Sequence, residues 1–177
     1  MSWKNGKTRR LSRLLEEEEA ETLEKTGRLE QVLTHLRYEG RASLGKNFKE
    51  TERLLQFFDH DLVRHIRLEE EVVFPYLAAH IPKLDLLISL LRSEHREFQR
   101  NLRRFKFWLT ALRRKRKASD LGKVIEQIRE TGTYLVYLLQ SHVQDEGRVF
   151  YDVASRELSP GEKRELARRL IQGGKPA

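Results

Sequence analysis

The chain has no cysteine, which excludes disulfides, thiolate zinc sites, cysteine-ligated clusters and cysteine nucleophiles. Imidazole and carboxylate remain as its metal chemistry. Proline (4) and glycine (10) are few in 177 residues, a composition poor for many short strands and turns. No stretch reaches the roughly 18 to 20 apolar residues that a membrane span needs. Met1 to Arg10 is polar and basic, without the apolar core of a signal peptide. A soluble cytoplasmic protein with no membrane partner is expected.

Charged residues make up 35% of the chain, which favours long, surface-exposed helices. The fold class expected is all-α. At this length one domain spanning 1–177 is expected rather than two. The net charge is +8, yet the basic residues are interleaved with 27 acidic ones along most of the chain, so charge alone assigns no partner. The run Arg113 to Lys117, with Arg92, Arg96, Arg100, Arg103 and Arg104 upstream, is the best feature for nucleic-acid binding. It lacks interleaved aromatic residues for base stacking, and it reads as a solvated helix end.

Apolar residues recur at helical spacing. An N-terminal helical extension (1–27) carries Leu11, Leu14 and Leu15 and leads into a helix with Leu29, Val32, Leu33 and Leu36. Gly40 and Gly45 look like a stop, and Asn47 with Glu50 like a capping-box start, for a second helix from about residue 48. That helix is expected to kink or end at Pro75. A third starts after Pro82 and a fourth is capped by Ser119 or Asp120. Ser159-Pro160 with Glu162 opens a short C-terminal helix, 159–172.

Four histidines sit on these apolar stripes. His65 with Glu69, and His142 with Glu146, repeat the spacing His-x-x-x-Glu; His95 lies between them and His35 upstream. Residues four apart project from one helix face, so each pair offers an imidazole and a carboxylate to one interior point. In an antiparallel bundle, residues at one height are equidistant from the turn joining their helices. His35 and His65 are centred on residue 50, His65 and His95 on residue 80, and His95 and His142 between 118 and 119, each near a turn signal. An up-down-up-down bundle with short loops therefore puts all four at one level. Two inward glutamates without a cation would carry a large desolvation cost.

His35, His65-Ile-Arg-Leu-Glu69, His95 and His142-Val-Gln-Asp-Glu146 resemble, in order, the motif of the hemerythrin-like proteins with a His-His-Glu cation-binding domain. The segment HIRLEEEVVFPYL, His65 to Leu77, is especially like that family's second helix. The resemblance covers roughly 28–155, a four-helix bundle, and leaves out the N-terminal extension and the last helix. It implies two iron ions bridged by Glu69 and Glu146, with His35, His65, His95 and His142 as terminal ligands. The oxygen-carrying members have a fifth histidine four residues from the one on the third helix; here those positions are Leu91 and Gln99, which argues against reversible oxygen carriage.

The donor set also suits manganese or zinc. A protein that binds or senses O2, NO or peroxide, or that handles iron, is expected. The alternative is a di-iron oxidoreductase that activates O2 or reduces peroxide or NO. A protein partner or a second copy of the chain would relay a binding signal. Glu39, four residues after His35, is a candidate extra ligand. Glu70, Glu71 and Asp145 read as solvated neighbours, and His60 and His80 as structural or exposed. Tyr38, Phe98, Tyr134 and Tyr137 read as packing near the site.

Overall fold

A computed structural model describes residues 8–38, 44–114 and 118–173 of the chain. Helix α1 (Thr8–Tyr38) packs along α2 (Leu44–Phe57) and along α6 (Ala118–Asp145), which also packs on α5 (Asp85–Arg114). After α2 the same rod continues through a π-turn (Phe58–Leu62), α3 (Val63–Leu68), a second π-turn (Glu69–Val73) and α4 (Phe74–His80). After α6, a third π-turn (Glu146–Tyr151) leads into α7 (Asp152–Glu157). Helix α8 (Pro160–Gly173) folds back against the second π-turn and α1. The result is an up-and-down helical bundle with additional helix at its termini.

Each long helix buries one stripe. On α5 it is Ile88, Leu91, His95, Phe98, Leu102, Phe105, Leu109 and Leu112, steps of three and four that keep one face inward. The stripes do not make one continuous core. One apolar block gathers Leu29, Val32, Leu33, Leu36, Leu54, Phe58, Leu62, Ile66, Phe98, Phe105, Ile128 and Leu139. A second gathers Val73, Phe74, Leu77, Ile81, Leu84, Ile88, Leu91, Leu158, Leu166 and Leu170. Between Ile66 and Val73, and between Leu91 and Phe98, lie Glu69 and His95, buried and polar.

Several boundaries differ from those read in the sequence. The N-terminal extension and the first helix are one continuous helix, α1. Helix α2 begins at Leu44, so Asn47 is buried inside it instead of capping it. Pro75 does not end its helix, which runs to His80. The π-turn just before it carries an extra residue per turn, which accommodates a ring that has no N–H to donate. The chain stops instead at Ile81, whose extended ψ of 74° precedes Pro82. The C-terminal capping box forms as expected: Glu162 N–H donates to Ser159 Oγ at 3.3 Å and Ser159 N–H to Glu162 Oε2 at 2.7 Å. Phe98 is core, but Tyr38, Tyr134 and Tyr137 are exposed, on the outer faces of α1 and α6.

At Gly132 α6 packs tightly against its neighbours. A Cβ there would lie 2.8 Å from both Leu33 methyls and 3.0 Å from Phe105. Gly27, inside α1, has nothing within 4 Å of that position. Gly132→Leu is expected to lower stability by at least about 1–3 kcal/mol through overpacking. Gly27→Ala is expected to raise it by up to about 1 kcal/mol, the helix-propensity difference. Urea denaturation of the two variants beside the parent chain checks both signs.

Candidate metal centre

The polar layer between the two apolar blocks is built from three rods. The α3 rod brings His65 and Glu69, α5 brings His95, and α6 brings His142, with Glu146 at its end. One donor atom from each of Glu69, His95, His142 and Glu146 lies within 4.8 Å of all the others, and all four residues are buried. His95 Nε2 faces His142 Nε2 at 3.2 Å. Glu69 Oε2 is 3.4 Å from His95 Nε2, and Glu146 Oε2 is 3.4 Å from His142 Nε2. His65 joins from the side, its Nε2 3.1 Å from Glu69 Oε1. Glu69 and Glu146 each open a π-turn, so both rods change winding at the carboxylate they supply.

The outer nitrogen of every ring is held by a carboxylate: His65 Nδ1 by Glu18 at 2.8 Å, His95 Nδ1 by Glu70 at 3.0 Å, His142 Nδ1 by Glu94 at 2.8 Å. An ionised carboxylate only accepts, so each Nδ1 carries the proton and donates it. With Nδ1 so engaged, the Nε2 atoms of His95 and His142, which face each other at 3.2 Å, are the ring atoms left to meet a cation. Glu69 Oε2 and Glu146 Oε1 are buried without a hydrogen-bond partner. Two orphaned buried oxygens and two facing imidazole nitrogens together form a cation-binding cluster of two histidines and two glutamates.

Charge coupling points the same way. Burial disfavours ionised Glu69, but the charge of His65 and the hydrogen bond His65 donates outweigh it and hold the carboxyl well below its usual range. Burial, and then the charge of Glu69, push Glu146 well above it. The pair thus holds one proton where a cation would remove it. At His65 burial favours the neutral ring, yet Glu69, Glu18 and Glu146 overcome it and push its pKa up to about 11 from 6.5.

Of the ligands expected from sequence, His65, Glu69, His95, His142 and Glu146 are brought together, and His35 is not. It is exposed near the end of α1. The end of α1 at Tyr38 and the start of α2 at Leu44 have their midpoint at residue 41, so the level of His65 on α1 falls at about residue 17. At 1.5 Å per residue His35 is about 27 Å farther along the helix. Helix α1 instead presents Glu18, bonded to His65, and Glu19, whose Oε2 is 3.4 Å from where a Cβ on Gly147 would sit.

Glu70 is partly solvated, as expected, and is in addition the acceptor for His95. Glu94 and Tyr151, whose hydroxyl donates to Glu69 Oε1 at 2.9 Å, were not singled out in the sequence. Glu94 adjoins His95 but serves His142 across the helix pair, so the signal was a charge beside a ligand on the neighbouring rod. His60 and His80 are exposed, as expected. Glu39 and the run 115–117 lie outside the described residues.

The Hemerythrin HHE cation binding domain matches residues 7–124, well over half of the chain. The chain belongs to that family. No curated protein and no solved structure is a match. The matched range takes in α1 whole, with Glu18 and Glu19, and ends before His142 and Glu146, so the second His-x-x-x-Glu pair of this HHE domain is placed by the geometry above. No helix among the described residues is long and apolar enough to cross a membrane.

The raised pKa of His65 gives the metal-free HHE domain a pH signature. A group whose pKa is raised on folding stabilises fully below its unfolded value, here 6.5, and that contribution is lost as pH rises towards about 11. In the presence of chelator, the melting temperature is expected to fall across that window more steeply for the parent chain than for His65→Gln. Equal slopes would remove His65 from the account.

Proposed function

We propose that this HHE domain holds two iron ions and uses them to bind or sense O2, NO or peroxide, or to handle iron. The observation that carries the reading is the buried cluster of Glu69, His95, His142 and Glu146 within 4.8 Å, two of whose carboxylate oxygens lack partners. Imidazole and carboxylate suit iron, and the two buried carboxylates would offset much of the charge of two divalent ions. His65, Glu69, His95, His142 and Glu146 would hold them. Bound iron would supply open coordination positions for a diatomic ligand or peroxide.

The chain's own residues shape what reaches those positions. Glu18, Glu70 and Glu94 fix the three rings with Nε2 inward and raise their basicity. Phe74 stacks on His95 with ring centroids 5.6 Å apart, and Leu91, one turn from His95, is fully buried. Both keep water from that wall. Neither position four residues from His95, Leu91 or Gln99, carries the fifth histidine of the family's oxygen carriers, which favours sensing or storage over reversible carriage. A protein partner or a second copy of the chain would receive the signal.

A di-iron oxidoreductase is the second reading. A cleft of about 210 Å³ lined by Val63, Ile66, Arg67, Glu71 and Gln99 reaches Glu70, which is bonded to His95. It gives a co-substrate larger than a diatomic a route to the edge of the site.

Aerobic and oxygen-free iron loading tests the proposal. The parent chain is expected to take two irons per chain; Glu69→Ala and His142→Ala are expected to lose half or more of that iron, and His35→Ala none. Failure of the parent chain to take up iron would overturn the proposal. Stopped-flow mixing of the reduced protein with O2 then divides the two readings: a stable adduct marks a binder, and rapid conversion to ferric product an oxidase.

A further inference from the structure

Glu69 faces two directions. Its Oε2 belongs with His95, His142 and Glu146, while its Oε1 meets a separate pair of donors, His65 Nε2 at 3.1 Å and Tyr151 Oη at 2.9 Å. Neighbouring ligands on one octahedral cation, with metal–ligand bonds of about 2.0–2.2 Å, stand about 2.8–3.1 Å apart. Both separations from Glu69 Oε1 fall in that range. Tyr151 comes from the third π-turn, five residues after Glu146, and the wider winding carries it back to the face Glu146 uses.

We propose, resting on the di-iron reading above, that Tyr151 is a ligand of the second cation, completing with His65 and Glu69 a donor face distinct from that of the first. Glu146, buried with Oε1 unpartnered, and Glu19, which lies over Gly147, supply further oxygens beside it. One position is thus nitrogen-rich, with two imidazoles, and the other oxygen-rich, with one imidazole, a phenolate and carboxylates. Hard trivalent cations prefer the second. Ligation forms one bond, from Tyr151 Oη to the cation, and releases the phenol proton to solvent; no electrons move. The phenolate stands on α6's continuation, opposite the level where α1 offers carboxylate in place of histidine. This assigns the chain a mixed site with two unlike positions.

The test is loading with ferric citrate, followed by iron counting, visible absorption and resonance Raman spectroscopy. The parent chain is expected to show a phenolate-to-ferric charge-transfer band with tyrosinate ring modes in resonance. Tyr151→Phe is expected to lose the band and about half the iron, while Tyr134→Phe and Tyr137→Phe, exposed elsewhere on α6, keep both. The parent spectrum alone decides the matter even if Tyr151→Phe does not fold. Iron bound by the parent chain without tyrosinate modes would overturn the inference and leave the di-iron proposal standing. A parent chain that binds neither ferrous nor ferric iron would bring down both.

Discussion

Two carboxylates, Glu69 and Glu146, are taken out of water between two apolar blocks, and the rest of the structure is arranged around what that requires. A buried carboxylate costs several kcal/mol unless paired or neutralised. Here each has an imidazole four residues before it, and each imidazole is in turn held by a further carboxylate. The centre therefore gathers acidic side chains in a chain whose net charge is +8. Charge of opposite sign to the whole is concentrated at one depth, which draws cations to the interior.

The outer carboxylates do a different job from the inner ones. Glu18, Glu70 and Glu94 sit partly in solvent, so their desolvation is small, yet each fixes a ring tautomer. His95 is gripped by adjacent residues of one rod, Glu70 at Nδ1 and Glu69 at Nε2. Phe74 lies flat on the same ring. With face and both nitrogens engaged, His95 is the most constrained group in the layer and sets the geometry for His142 opposite.

The all-α class, the four long rods and five of the residues in the layer were legible because helical periodicity and the four-residue spacing are local properties of the chain. The level of α1 was not. It depends on where α1 gives way to α2, and the glycines Gly40 and Gly45 with Asn47 offered a later point than the helix bounds Tyr38 and Leu44 define. An error of nine residues in a turn centre becomes eighteen in the opposing residue, enough to replace Glu17 or Glu18 with His35. Glu70, Glu94 and Tyr151 were hidden for another reason. Glu70 and Glu94 look like ordinary solvated charges beside a ligand, and Tyr151 reaches the layer only through a π-turn, which 3.6-residue periodicity does not anticipate.

The division of the core by a polar layer also bears on how long the molecule survives. Ligand that binds only the folded chain adds its binding free energy to stability. Without it, two buried carboxyl groups sharing a proton remain at the seam joining the two halves, and the folded chain lacks that stabilisation. Proteolysis that samples opened chains would then remove the empty protein faster than the filled one, so its abundance would follow cation supply without any change in synthesis.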